Sequence, residues 1–111
     1  MEPTVRNDPE ANRYEIVEGD RVLGIAAYEQ RGSTLVFTHT EVDQDSGRSG
    51  LGSTLVRAAL DDVRSHGGRV VPRCPFVRGW IERHPDYADL IAHSDSVRGR
   101  GGRTSPRAGR R

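Results

Sequence analysis

The sequence predicts an α/β (α+β) domain in which a mostly antiparallel sheet contains one parallel strand pair and carries two to three helices. Three observations lead to this. Apolar and polar residues alternate through three successive segments that end near residue 42, the period of half-buried strands. From Leu51 a helical apolar period takes over. The β-branched run "RVVPRC" comes next, so strand, helix and strand together supply the parallel pair.

Taken in order, "NRYEIV" (residues 12–17) alternates as a strand, "EGDR" supplies turn chemistry, and "RVLGIAAYEQ" resumes the pattern, which makes a hairpin. "RGST" is a second turn. "TLVFTHTEV" is β-branched and aromatic enough for a third strand. After the almost wholly polar "VDQDSGRSG", apolar positions recur at 51, 55, 59 and 63, with a second row at 56 and 60. The spacing predicts a helix over about 50–66, with Arg57, Asp61, Asp62 and Arg64 mainly on its polar side and a left-handed cap at Gly67 and Gly68. Pro75 suits the first turn of another helix, "PFVRGWIERH", which Pro85 ends or bends; "DYADLIAH" forms a last helical turn.

At 111 residues the chain holds one domain. We divide it into an N-terminal extension (1–11), a folded domain (12–93) and a disordered Arg/Gly-rich tail (94–111), whose composition cannot bury enough apolar surface to offset its ordering entropy. The net charge of +1 conceals two regions: six of the 17 arginines lie in the tail, so eleven arginines face 15 acids before residue 94, a balance of −4. Lysine is absent, which excludes an imine mechanism through a Lys Schiff base. The one cysteine, Cys74, cannot form an internal disulfide, and "MEPTVRNDPEANRYEI" has neither the apolar core nor the basic flank of a signal peptide, so a reducing, cytoplasmic setting is expected. No apolar run is long enough to cross a bilayer, and a membrane partner is not expected.

The chemistry centres on "SGRSGLGSTL", residues 46–55. A glycine-rich loop entering a helix leaves backbone N–H groups aimed outward, and the helix start adds partial positive charge, which together suit a pyrophosphate. Glycines also occur in such loops for steric reasons alone. There is no G-x-x-x-x-G-K-[ST], nor the setting that a dinucleotide G-x-G-x-x-G needs.

"FTHTEV", "GRSGLGSTLVRAALDDVRSHG" and "RVVPRCPFVRGWIERHPDYADLI", in this order and at these intervals, resemble the small stand-alone N-acetyltransferase-like members of the GNAT superfamily over residues 12–92. The resemblance implies a compact fold in which the parallel strands splay apart to admit an acyl-pantetheine arm. It implies acetyl-CoA as acyl donor and an unidentified amine as acceptor. The superfamily motif [QR]-x-x-G-x-[GA] cradles the pyrophosphate, and its two small positions fall on Gly50 and Gly52. Its first position falls on Gly47, and Arg48 one place later either supplies the charge or points into solvent. The implied cofactor-binding set is Val42, whose backbone N–H would polarise the acyl carbonyl, with Gly47, Arg48, Ser49, Gly50, Leu51, Gly52 and Ser53.

Acetyl transfer needs a base for the acceptor, an oxyanion donor and a proton for the leaving thiolate. His39 and Glu41, two apart on one strand, share a face and are candidate bases, or else a polar strand edge. Cys74 sits where a helix start would favour thiolate, so it is a candidate nucleophile or a small buried filler. Tyr87 matches the position of a tyrosine that protonates the thiolate in relatives, or packs on the last helix. His84 reads as a cap, and Trp80 and Ile81 as core. No metal site is assigned.

The short domain lacks the helices that shape the acceptor pocket in larger members, so the pocket is open or completed by a second subunit, a homodimer. Two other functions stay open: a CoA or acyl-CoA binding module without catalysis, and a nucleic-acid-associated protein acting through the tail, which lacks interleaved aromatics and reads more simply as a solubilising segment.

Overall fold

The computed structural model describes residues 2–92. One sheet runs in the order β1 (Thr4–Asp8), β2 (Arg13–Glu18), β3 (Arg21–Arg31), β4 (Thr34–Val42) and β5 (Arg69–Pro72). The first four strands pair antiparallel, while β4 and β5 pair parallel. Between them runs α1 (Leu51–Ser65), and α2 (Pro75–Arg83) with a 3₁₀ helix (Pro85–Leu90) follows β5. This is the expected mixed sheet with one parallel pair. No helix among the described residues is long and apolar enough to cross a membrane.

The sheet begins earlier than expected. Thr4–Asp8, inside the segment read as an N-terminal extension, pairs with β2 from Thr4↔Val17 to Asp8↔Arg13 and extends the meander to four strands. Val5 is the one apolar residue of "TVRND", so a half-exposed edge strand leaves no alternation to read. The Arg/Gly-rich tail lies outside the described residues.

Packing explains α1 directly. The apolar positions Leu51, Leu55, Val56, Ala59, Leu60 and Val63 are all buried, and each large one contributes about 1.5–3 kcal/mol by leaving water. Gly67, at φ 71°, turns the chain out of the helix, and the Gly68 N–H donates to the Val63 carbonyl at 3.0 Å. Against α1 the sheet presents Tyr14, Tyr28 and Phe37, whose rings pack at centroid distances of 5.6–6.2 Å. The Tyr14 hydroxyl donates to Asp62 at 2.7 Å, which ties β2 to the helix. From α2, Val77, Trp80 and Ile81 join the same core, so both helices cover one face.

Among the described residues no helix covers the other face. It carries Glu15, a fully buried carboxylate under the arms of two arginines: Arg6 Nε donates to Oε1 at 2.9 Å and Arg13 Nε to Oε2 at 2.8 Å. Burial alone would raise this carboxyl; the two guanidiniums outweigh that and hold it below the ordinary glutamate range. A depressed folded pKa contributes stability above the unfolded value of about 4.3, and this is lost as pH falls through the folded value. Glu15→Gln is therefore expected to cost about 1–3 kcal/mol at pH 7 and much less at pH 3, read by urea unfolding at both pH values.

A bulge decides which side chains of β4 face which way. On β4, Phe37 pairs with Tyr28 and His39 with Ala27, so Thr38 is an extra residue. The extra residue reverses the alternation. Phe37 lies in the core, but His39 and Glu41 emerge on the uncovered face while Thr40 and Val42 turn toward the helices.

Candidate active site

The parallel pair separates after four registers. Its last is Phe37↔Pro72, closed by the Cys74 N–H donating to the Phe37 carbonyl at 2.8 Å. β4 continues through Thr38–Val42 with nothing of β5 beside it. The Asp43 N–H donates to Leu23 on the β3 side at 2.7 Å, and the antiparallel alternation then turns the N–H groups of Thr40 and Val42 toward the opposite edge, where β5 has ended. A wedge lined by backbone donors results.

Cys74 sits at the apex of the wedge, as the residue before α2. Its Sγ lies 3.3 Å from Thr40 Oγ1, and the residue is only 3 % exposed. Sequence reasoning missed Thr40 as its partner, because the bulge that aims it at Cys74 cannot be seen in the alternation.

The glycine loop leads from β4 into α1. Gly47 and Gly50 adopt left-handed φ values of 79° and 74°, which side-chain-bearing residues rarely adopt. The first helical bond runs from the Thr54 N–H to the Gly50 carbonyl, so the N–H groups of Leu51, Gly52 and Ser53 precede the helix ladder. No side chain caps this start and no acid stands in its first turn. A Cβ on Gly52 would lie 2.5 Å from the tip of the Phe76 ring, an exposed aromatic that rests on the helix start.

The remaining loop side chains have their own attachments. Arg48 pairs with Glu18 at the end of β2, and its backbone N–H donates to Ser46 Oγ at 3.2 Å. The Ser53 hydroxyl accepts from the Trp80 indole at 2.9 Å, Leu51 is core, and Ser49 is exposed.

On the uncovered face, His39 Nε2 and Glu41 Oε2 lie 2.7 Å apart, and both side chains are exposed. On the opposite, helix-facing side Gly24 has no room for a side chain, since a Cβ would lie 2.8 Å from the Glu41 carbonyl oxygen and 2.9 Å from Val42 Cγ1. An open hollow of about 430 Å³ runs beside Glu41, Val42 and Asp43 as far as Arg13.

Tyr87 lies elsewhere. Its hydroxyl donates to Asp61 on α1 at 2.8 Å and accepts from Arg57 at 3.4 Å, and its ring packs edge-on against Trp80. The Asp61 carboxylate, reinforced by burial, holds this phenol above its ordinary range and makes it a weaker acid. His84 Nδ1–H donates to the Trp80 carbonyl, 2.8 Å away, and the imidazole stacks on the Trp80 ring, in keeping with its reading as a helix-end residue. The structure thus joins Cys74 with Thr40 and His39 with Glu41, and ties the buried Tyr87 to Asp61 and Arg57 of α1.

Comparison with known proteins agrees with this architecture. The solution structure of a GCN5-like protein from Staphylococcus aureus superimposes with a TM-score of 0.61, covering 86% of this chain and 96% of that one at 19% identity, a likeness of fold. No curated protein matches the chain. Residues 13–90 match the family described as GCN5-related N-acetyl-transferase, a span that takes in the whole sheet from β2 onward, the glycine loop and the wedge. The chain belongs to the GCN5-related N-acetyltransferase family.

Proposed function

We propose that the protein transfers an acetyl group from acetyl-CoA to an amine. One observation carries this reading: the uncapped start of α1, with three N–H groups ahead of the helix ladder, stands next to the unpaired edge of β4. The first suits the donor's pyrophosphate and the second its acyl arm. Gly47 and Gly50 leave open space beside the loop where a diphosphate would approach, while Gly52 makes room for the Phe76 ring on the helix start. Since Arg48 has Glu18 as a partner, the backbone and helix start carry the anion, and Arg48 contributes only by exchanging that partner.

The donor is a substrate and brings the acyl group as a thioester. Glu41, with His39 as its partner, removes the proton from the acceptor amine. The nitrogen–carbon bond forms as the carbon–sulfur bond breaks, and the Val42 N–H stabilises the charge that develops on the carbonyl oxygen. The departing sulfur takes up the second proton, which the nitrogen sheds as the amide forms, and leaves as a thiol. Cys74 and Thr40 wall the apex where that sulfur would rest, and the acetyl group passes directly to the amine; Tyr87, committed to Asp61, takes no part.

Titration with acetyl-CoA should show saturable binding in the range common for enzyme substrates, about 1 μM–1 mM, followed by thiol release with a suitable amine. Absence of binding at millimolar acetyl-CoA overturns the proposal. Binding without thiol release across a broad amine panel assigns a CoA-binding module instead. Cys74→Ala is expected to retain turnover; its loss, with an acetylated wild-type Cys74 detected by mass spectrometry, would assign a covalent route.

A further inference from the structure

We infer that the acceptor is a small zwitterion, an amine bearing an anionic group roughly two to four carbons away, bound across the hollow between β2 and β4. This deepens the acetyl-transfer reading and rests on it for the fate of the amine. The hollow of about 430 Å³ opens on the uncovered face. Strand register sets two rows across it, Glu15–Ile25–Glu41 and Arg13–Ala27–His39. Ile25 lies in the floor between two polar walls, and the small Ala27 follows it on the same face of β3. With strands about 4.8 Å apart, the walls stand about 10 Å apart at the backbone, within reach of both ends of one small molecule.

The walls carry opposite charge. On the β2 side, Arg6 of β1 and Arg13 of β2 share the single carboxylate of Glu15, which leaves one positive charge in excess. Arg13 uses Nε and Nη2 on Glu15 Oε2, and its Nη1 has no protein partner among the described residues. On β4, Glu41 supplies the negative charge, with His39 beside it. Asp43 at the rim is matched by Arg21 at 3.0 Å, so it adds little to the balance.

A molecule lying across this field places its ammonium at Glu41, next to the open edge of β4, and its anion on Arg13. A plain alkylamine gains nothing from Arg13. A diamine sets a second cation against it, so the same guanidinium both favours the zwitterion and rejects the diamine. Either a carboxylate or a phosphate satisfies Arg13, because both accept its N–H groups with charge assistance.

The test compares β-alanine and O-phosphoethanolamine with propylamine and β-alanine amide as acceptors in a thiol-release assay. One charge-assisted hydrogen bond corresponds to a preference of about 10–100-fold in kcat/KM for the anionic acceptors, and the two anionic arms identify which anion is favoured. Arg13→Gln is expected to collapse that ratio to about threefold or less, and Arg13→Lys to keep part of it. Since Arg13 also partners Glu15, a second measurement dispenses with the variant and with turnover: β-alanine, without acetyl-CoA, should shift the wild-type amide resonances of Arg13, Ile25 and Ala27, whereas propylamine should not. Equal kcat/KM for charged and uncharged acceptors, or equal shifts, overturns the zwitterion proposal and leaves acetyl transfer standing. Selective shifts with no turnover of any amine uphold the zwitterion site and overturn acetyl transfer.

Discussion

Trp80→Ala should be the most destabilising single substitution in the molecule, costing about 3–5 kcal/mol. The indole is 1% exposed and is the largest fully buried side chain. It stacks on His84 at 3.9 Å, meets Tyr87 edge-on at 4.9 Å, and lies under the guanidinium of Arg57. Its N–H also holds Ser53 in the first turn of α1, so its removal loosens the helix start together with the core. A domain of this size has only some 5–15 kcal/mol in hand, and Tm should fall by more than about 10 °C. Thermal unfolding by circular dichroism checks this. A fall of under about 3 °C would mean that α2 does not clamp the start of α1. At a temperature where the variant is still folded, acetyl-CoA affinity should also weaken, because the cradle at residues 50–53 is no longer pinned from behind.

Glu41→Gln is expected to lower kcat by about 10²–10⁴-fold while leaving acetyl-CoA affinity within about twofold. The substitution preserves shape and removes the ability to take a proton. Because His39 is 2.7 Å away, it too can serve as the immediate acceptor, with Glu41 orienting it and stabilising its charged form. His39→Ala alone and the double variant separate these roles. If the two losses are not additive, the pair acts as a unit; if the double variant retains full kcat, neither residue is the base and the mechanism proposed for β4 is wrong. Single-turnover rates and equilibrium titration measure the two quantities independently.

Sequence periodicity alone determined much of this protein. The helical spacing from Leu51, the stop at Gly67 and Gly68, the meander ahead of residue 42 and the parallel return at "RVVP" all follow from local rules, because burial on one face enforces a repeat that can be read residue by residue. The glycine loop entering α1 was legible too, and the structure adds that Gly47 and Gly50 are left-handed, a backbone that restricts the residue type at each site.

What only the tertiary structure decided depends on contacts between distant segments. Strict alternation from Phe37 would turn His39 and Glu41 into the core; the extra residue Thr38 turns them out and aims Thr40 at Cys74, 34 positions along the chain. A bulge is fixed by the partner strand, so it leaves no mark in the alternation of its own. The same holds for β1, whose one valine gains meaning only beside β2, and for Tyr87, whose hydroxyl is assigned by Asp61 across 26 residues. The charged walls of the hollow arise in the same way: Arg13 and Glu41 are 28 positions apart in the chain and two strands apart in the sheet, and pairing register brings them into neighbouring rows of one face, Arg13 opposite His39 and Glu15 opposite Glu41.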